Sequence, residues 1–248
     1  MLQDSKISLI DDAAQSYGAQ CGGRRVGTFG EFGIVSCSPG KSIVGPAGGL
    51  LLCKDPELLS RVSIESLDTE GATAVLRRVL AFWTWFRLRG FTLPFKGVSD
   101  QLLSGQKPYR CAAMSNLEAA YALRQYGLLR IDADHRRRQA ESLLSKLGIA
   151  KSQVLTLPSS SSVLLRLALL LPEGGPSLKE ALQRLAKVGI ECGEPYVPLH
   201  REVGERSSVL PITDGLWPRV VQLPLSPAPS DPKQIEVLRQ LWPLSTRS

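Results

Sequence analysis

The sequence predicts an α/β fold in which a mostly parallel sheet of short strands precedes a smaller α+β unit. Residues 6–53 hold three short apolar runs, "ISLI", "EFGIVSCS" and "GGLLLC", separated by glycine-rich turns. Runs of this length without a polar alternate face are typical of central strands covered on both sides. With 248 residues, 43% of them hydrophobic, the chain can bury a core as one large domain or two small ones.

Helix signals follow the predicted sheet. Asp55-Pro56 predicts the start of a short helix through "ELLSRV". The segment "VLRRVLAFWTWFRLRGF" predicts a second helix rich in aromatic residues and arginine. Ser115 and Glu118 form a capping-box pattern that opens a long helix ending at Gly148.

The remaining sequence alternates strand and helix signals. "SSVLLRLALLL" and "RVVQLPL" predict strands, Ser177 with Glu180 opens a helix that ends at Gly189, and Asp231-Pro232 opens the last helix. We therefore predict a ligand-binding sheet region at 1–68, a connecting helical segment rich in aromatic and basic residues at 69–114, and a small α+β domain at 115–248.

Composition narrows the function classes. Lys and Arg exceed Asp and Glu by 30 to 23, a net charge of +7 that favours anionic ligands. Nucleic-acid binding would rest only on this charge and on "HRRRQ", so it is not expected. The five cysteines are scattered, odd in number and without a CxxC pair, which favours neither a disulfide framework nor a zinc site. They are Cys21, Cys37, Cys53, Cys111 and Cys192. His135 and His200 lie in no metal-spaced cluster.

The cellular location is predicted from the cysteine usage and from the absence of targeting and membrane-span patterns. The first residues lack a signal-peptide pattern, and no window reaches the roughly 18 apolar residues that a membrane span needs. A reducing cytoplasm is therefore the expected compartment.

Four polar residues follow the first two predicted strands. Asp12 ends the first strand and Gln15 comes three residues later, while Ser36 and Lys41 follow the next strand. The carboxyl ends of parallel strands form a ligand-binding crevice. A desolvated carboxylate there requires a cationic partner, and a protonated pyridine nitrogen is one. Pyridoxal 5′-phosphate needs an acid at this nitrogen, a lysine for its aldehyde and donors for its phosphate, so these residues predict that cofactor.

Each of these residues also has a simpler interpretation. Asp12 fits a helix N-cap at a strand-to-helix junction. Ser36 fits an ordinary strand position, and a lone lysine such as Lys41 is commonly a solvated surface residue. The aromatic and basic helix around residues 77–91 fits packing against the fold or contact with a membrane surface.

The segment "DDAAQSYGAQCGGRRVGTFGEFGIVSCSPGKSIVGPAGG" resembles the central signature of the DegT/DnrJ/EryC1/StrS aminotransferases, which are fold type I pyridoxal-phosphate enzymes. By this resemblance Asp12 pairs with the pyridine nitrogen and Gln15 with the ring hydroxyl. Ser36 binds the phosphate, and Lys41 forms the Schiff base and moves protons. "MSNLEAAYALRQYG", "GIECGEPYVPLH" and "LPITDGLWPRVVQLPL" extend the likeness over most of the chain.

The resemblance implies a function. The family mostly transfers an amino group to nucleotide-linked keto sugars, here with glutamate as the expected donor, and its homodimers share active sites. His200, within "YVPLH", is expected to border the substrate site. A dehydratase on the same scaffold would carry a histidine in place of Lys41, so it is not expected.

Two departures from the family pattern modify this expectation. By the resemblance, family members are longer at the amino terminus, so we expect residues 1–68 to be a remnant of the pyridoxal-phosphate-binding large domain. The region expected to be missing would supply a phosphate-binding loop and a ring-stacking residue. Cys111 and Ala113 stand where sugar aminotransferases often have asparagine and arginine. The alternative function is therefore a truncated, inactive family remnant that acts as partner subunit of a full-length homologue.

Overall fold

A computed structural model describes residues 7–62, 70–88, 112–156, 159, 161–193, 195–202 and 210–243 of the chain. The chain divides into two compact units, residues 1–131 and 132–248. The strands are β1 Ile10–Asp12, β2 Gln20–Cys21, β3 Arg24–Arg25, β4 Phe32–Ser36, β5 Gly49–Cys53, β6 Arg166–Leu170 and β7 Val220–Pro224. The α-helices are α1 Pro56–Ser60, α2 Ala72–Leu88, α3 Asn116–Leu147, α4 Leu178–Lys187, α5 Leu199–Glu202, α6 Pro211–Leu216 and α7 Pro232–Leu241.

The first unit contains a three-stranded sheet in the order β1-β4-β5. β1 runs parallel to β4, with Asp12 opposite Ile34. β5 is antiparallel to β4, with Ser36 opposite Gly49 and Ile34 opposite Leu51. The three predicted strands are present, the first of them shifted to Ile10–Asp12, and the mixed α/β arrangement confirms the predicted fold class. Of the two strand pairs in this described sheet, only β1–β4 is parallel.

One face of this sheet differs from the expectation of strands covered on both sides. Its apolar residues Ile10, Ile34 and Leu51 are 57%, 41% and 43% exposed. On the opposite face, Val35 and its neighbours Ala13 and Cys37 are almost fully buried. The prediction was wrong because β1 and β5 are edge strands in the part of the chain that the structure describes, and an apolar run alone does not specify which faces are covered.

A tight hairpin joins β2 to β3. Cys21 pairs with Arg24, which leaves Gly22 and Gly23 as the two loop residues. Both glycines have positive φ, +57° and +76°, as a type I′ turn requires. The glycine-rich sequence therefore forms a defined turn here.

Helix α2 packs against the start of α3 through one of its faces. Phe82 is buried and meets Tyr121 edge to face at 5.5 Å between ring centroids. The Arg78 guanidinium lies 2.7 Å from the carboxylate of the buried Glu118. Packing is thus observed for this face, whereas Leu76, Leu80 and Trp83 on another face are exposed. The remainder of the aromatic segment, from residue 89 to 111, lies outside the described residues.

The predicted capping box opens α3. Ser115 Oγ accepts the Glu118 N–H at 3.3 Å, and the Glu118 carboxylate accepts the Ser115 N–H at 3.2 Å and its hydroxyl at 2.7 Å. Burial alone would raise the pKa of Glu118, but the hydrogen bonds from Arg78 and Ser115 outweigh it, so this pKa lies below its ordinary value. The helix ends at Leu147, and Gly148 adopts positive φ as predicted.

The second unit packs α4, α7 and the C-terminal part of α3 on the antiparallel pair β6–β7. Leu167, Leu169 and Leu223 of the two strands are fully buried with Leu185 of α4. Trp242, after α7, is also buried and its indole N–H donates to Leu170 O at 2.8 Å. The predicted caps are present, since Ser177 and Asp231 accept backbone N–H groups at the starts of α4 and α7. Among the described residues, no helix is both long and apolar enough to cross a membrane.

Candidate active site

Asp12 and Ser36 lie on the same face of the sheet. Asp12 is opposite Ile34 in the parallel β1–β4 pair, and Ser36 follows Ile34 by two residues. Paired residues share a face and strand residues alternate between faces, so both polar side chains leave the sheet on its open side. They stand at the carboxyl ends of parallel strands, where α/β folds bind ligands.

Asp11, the neighbour of Asp12, has a structural role on the other face. Its Oδ2 accepts the backbone N–H of Gly27 at 2.6 Å and of Phe29 at 2.9 Å. The loop held in this way crosses Gly33 of β4, where a Cβ would lie 1.9 Å from the Gly27 carbonyl oxygen. The two adjacent aspartates therefore lie on opposite faces, and Asp11 holds a loop. The sequence pattern did not distinguish the two residues.

Asp12 caps a turn instead of a helix. Its Oδ1 accepts the Ala14 N–H at 2.9 Å, and the backbone then forms turns over residues 14–18. The N-cap interpretation is thus wrong about the helix, since small residues and Gly18 with φ +98° turn the chain too early. Among the residues that the structure describes, no hydrogen bond occupies Oδ2 of Asp12 or the side chain of Gln15, and both residues are exposed.

A second turn connects Ser36 with Lys41. The Ser36 and Ser38 hydroxyls lie 3.0 Å apart, and the Lys41 N–H donates to the Ser38 carbonyl at 3.2 Å. Pro39 and Gly40 occupy the centre of this turn, and Gly40 has φ +79° as the third residue of a type II turn requires. Ser36 and Lys41 are both half-buried. Sequence reasoning missed Ser38, although its spacing of two from Ser36 indicated a shared direction.

The loop that carries Lys41 is anchored at both ends. Cys37 N–H donates to Gly48 O at 2.8 Å, and Ile43 is buried. Gly48 adopts φ +107°, and a Cβ there would lie 2.2 Å from Cε of Met114. The Met114 side chain thus occupies the space beside this glycine, which ties the loop to the segment before α3.

The residues present fit pyridoxal 5′-phosphate by the chemistry of their side chains. The open sheet face offers a carboxylate at Asp12 and a hydroxyl at Ser36, while the turn after β4 adds a second hydroxyl and an amine. Ser42, next to Lys41, is only 3% exposed, and its hydroxyl has no hydrogen-bond partner among the described residues. A buried polar atom without a partner costs about 1–3 kcal/mol, so this hydroxyl beside Lys41 requires a partner that the described residues do not supply.

Two titratable side chains beneath this face stay neutral. Burial raises the pKa of the Cys37 thiol. The pKa of Tyr17 is raised by burial and by its neighbour Tyr126, whose ring centroid lies 6.4 Å away. Neither group therefore adds negative charge below the position where a phosphate would bind.

His200 lies in the second unit, in a separate polar cluster. Its Nε2 is 3.2 Å from Asp214 Oδ1, and the Arg201 guanidinium contacts the same oxygen at 2.6 Å. Burial would raise the pKa of Asp214, but the hydrogen bonds from Arg201 and His200 lower it. That His200 borders the substrate site stays a prediction. Cys111 lies outside the described residues, and Ala113 is half-buried.

Known proteins resemble this chain over most of its length. L-glutamine:2-deoxy-scyllo-inosose aminotransferase of Streptoalloteichus tenebrarius is 28% identical over 203 residues, which cover 78% of this chain and 43% of the relative. The enzyme of the same name from Streptomyces paromomycinus is 24% identical over 234 residues, which cover 93% of this chain and 50% of the relative. The chain therefore spans about half the length of these curated relatives.

Solved structures share the fold. A DegT/DnrJ/EryC1/StrS aminotransferase from Brucella abortus superposes with a TM-score of 0.65 at 22% identity, covering 98% of this chain and 59% of its own. A GDP-4-keto-6-deoxy-D-mannose-3-dehydratase from E. coli, solved with hydrated pyridoxal phosphate, gives a TM-score of 0.62 at 16% identity over 97% of this chain and 61% of its own. Residues 1–241 match the sequence profile of the DegT/DnrJ/EryC1/StrS aminotransferase family. The chain belongs to this family.

Proposed function

We propose that this chain is the lysine-bearing part of a pyridoxal-phosphate-dependent aminotransferase that delivers an amino group to a keto sugar. The observation that carries the proposal is the shared sheet face of Asp12 and Ser36, with Lys41 on the turn that begins two residues after Ser36. Pyridoxal 5′-phosphate is the cofactor of the family, and when bound it supplies the electron sink for transamination.

The four site residues have distinct proposed roles. The Asp12 carboxylate holds the proton on the pyridine nitrogen, and Oδ2 is the oxygen left over from its own turn. The Gln15 side chain donates to the ring hydroxyl, and the Ser36 hydroxyl donates to the phosphate. Lys41 Nζ holds the cofactor covalently and, once released, moves a proton to or from the carbon that gains or loses the amine.

The acceptor and donor are proposed from charge and from the relatives. A net charge of +7 suits an acceptor that carries an anionic nucleotide diphosphate, with glutamate as the amine donor. The names of the relatives favour a second candidate, in which L-glutamine aminates the cyclic ketone 2-deoxy-scyllo-inosose. In both acceptors the ketone carbon is a member of a hydroxylated ring, so the same four residues serve either reaction.

The proposed assembly is a cytoplasmic homodimer, as the family resemblance implies. A complementing chain is the alternative, because this chain spans about half the length of its relatives. In that case the chain alone would be inactive and would contribute Lys41 to a site shared with a full-length homologue.

Covalent trapping tests the proposal. The purified chain is titrated with pyridoxal 5′-phosphate, followed by absorbance, then reduced with borohydride and digested for peptide mass spectrometry. We expect one pyridoxyl group, on the peptide that contains Lys41. Lys41→Ala should lose the label, whereas Lys54→Ala, which removes a lysine bonded to Thr28 O in the same unit, should keep it.

The outcomes separate the alternatives. Label spread over several lysines, or retained in Lys41→Ala, would overturn the proposed site. Label that appears on Lys41 only when a full-length homologue is present would support the partner-subunit alternative. Mass spectrometry of reactions with each donor and each acceptor then identifies the substrate pair.

A further inference from the structure

Two serine hydroxyls lie beside each other at the end of β4. Ser36 Oγ and Ser38 Oγ are 3.0 Å apart, and either atom is able to donate. Cys37 between them is fully buried, and its N–H is bonded to Gly48 O at 2.8 Å. The backbone that carries both hydroxyls is thus fixed by the residue between them.

Ser38 is also the first residue of the turn that delivers Lys41. Its carbonyl accepts the Lys41 N–H, and Pro39-Gly40 form the turn centre, with Gly40 at φ +79°. A single residue therefore contacts the proposed phosphate-binding hydroxyl and the backbone of the proposed Schiff-base lysine.

A phosphate dianion would define the direction of the hydroxyl pair. Phosphate oxygens near neutral pH mainly accept hydrogen bonds, and each serine hydroxyl has one hydrogen to donate. If Ser36 donates to phosphate, its lone pairs remain free to accept from Ser38. The resulting chain runs from Ser38 to Ser36 to phosphate, and hydrogen bonds in such chains polarise and strengthen one another.

We propose that Ser38 is a positioning residue for cofactor phosphate, acting through the hydroxyl of Ser36. This inference rests on the proposed function, because it requires that the chain bind pyridoxal 5′-phosphate. It assigns Ser38 no direct contact with the ligand. Its effect should therefore be specific to the phosphate and should depend on Ser36.

The test compares the affinity of the full chain for pyridoxal 5′-phosphate and for pyridoxal, which lacks the phosphate. We expect Ser38→Ala to weaken binding of the phosphorylated form about three- to tenfold, the range of one hydrogen bond. Binding of pyridoxal should not change. Ser38→Thr, which keeps a hydroxyl, should restore affinity, and Ser60→Ala, which removes a hydroxyl bonded to Glu57 O, serves as matched control.

A double-mutant cycle tests the route through Ser36. In a Ser36→Ala background, Ser38→Ala should have no further effect on affinity, because its hydroxyl no longer has the serine to orient. Additive losses would instead show direct contact of Ser38 with phosphate and would overturn the relay. Equal losses for pyridoxal, or no loss at all, would overturn the phosphate role.

Two further measurements distinguish failure of this inference from misfolding of a variant and from failure of the proposed function. If Ser38→Ala fails to fold, Ser38→Cys supplies a near-isosteric side chain with a weak donor and should behave as predicted for alanine. If the unmodified chain shows no borohydride-trapped label on Lys41, the proposed function fails and this inference fails with it. If the label is trapped on Lys41 but Ser38→Ala and Ser38→Cys both keep their affinity for pyridoxal 5′-phosphate, only this inference is overturned.

Discussion

The side chains of Asp11 and Asp12 leave β1 on opposite faces of the sheet. Asp11 binds the backbone of Gly27 and Phe29, whereas Asp12 stands on the open face that also carries Ser36. Adjacent carboxylates in one short strand are thereby divided between holding the fold and serving the proposed site.

Substitution of the two aspartates should separate stability from cofactor binding. Asp11→Ala leaves two amide groups without their acceptor, so we expect the free energy of unfolding to fall by about 1–3 kcal/mol. Asp12→Asn keeps an oxygen for the Ala14 N–H and should change this free energy by less than about 0.5 kcal/mol. Urea denaturation followed by circular dichroism measures both, and a larger loss in Asp12→Asn would contradict the assignment.

Asp12→Asn should instead impair transamination by the bound cofactor. Without a carboxylate at the pyridine nitrogen, Asp12→Asn should lower the turnover of any transamination by at least tenfold, because asparagine cannot stabilise the ring proton by charge. Folding measured in parallel supplies the control. Full activity in this variant would argue against the role of Asp12.

Gly33 should not tolerate a side chain. In Gly33→Ala the new Cβ would lie 1.9 Å from Gly27 O, so the loop must move, and we expect a loss of about 3 kcal/mol in the free energy of unfolding. Gly127→Ala is the opposite case, because no atom lies within 4 Å of its added Cβ on helix α3. That variant should stabilise the chain by about 0.5–1 kcal/mol. A neutral Gly33→Ala in chemical denaturation would refute the packing of the loop.

Glu118 should make stability depend on acid. Its pKa is below the ordinary 4.5, so its ionised form stabilises the fold above that pH, and the contribution is lost as pH falls through the lower folded pKa. Glu118→Gln should cost about 1–3 kcal/mol at pH 7 and flatten the stability profile below pH 4.5. Glu141→Gln, at an exposed position on the same helix, is the matched control. Urea midpoints between pH 3 and 7 give the comparison.

Cysteine labelling should distinguish exposed from buried thiols. Cys21 is exposed, whereas burial raises the pKa of Cys192 to about 12 and that of Cys37 above its ordinary value. Because the thiolate is the reactive form, iodoacetamide at pH 8 should modify Cys192 at least about a hundredfold more slowly than Cys21. Mass spectrometry over time measures the rates, and labelling in denaturant is the control. Equal rates in the folded chain would contradict the raised pKa of the half-buried Cys192.

Sequence patterns predicted the elements of this fold better than their environment. Strands, capping residues and the helix end at Gly148 follow from local propensity and side-chain hydrogen bonding, which depend on neighbours in the chain. The exposure of Ile34 and Leu51 depends on what packs on that face of the sheet, which the local sequence of a strand does not specify. The alternative interpretation of Asp12 as a helix N-cap is wrong for a related reason, since an aspartate caps a turn and a helix with the same hydrogen bond.

For the site, the sequence predicted residue types but not their connections. The spacing of Asp12, Ser36 and Lys41 placed them after neighbouring strands, and the β1–β4 register brings the first two to one face. The Ser36–Ser38 contact depends on the backbone bond from Cys37 to Gly48, which joins residues that no local pattern links.

The contact between Gly48 and Met114 has a chemical consequence. The thioether fills the space that any other residue at position 48 would need, so the loop that carries Lys41 depends on the size and polarity of one sulfur-containing side chain. Oxidation to the sulfoxide would add a polar oxygen to a half-buried methionine and push against that loop. Peroxide exposure should thus damage the lysine turn before it unfolds the leucine-rich core of the second unit.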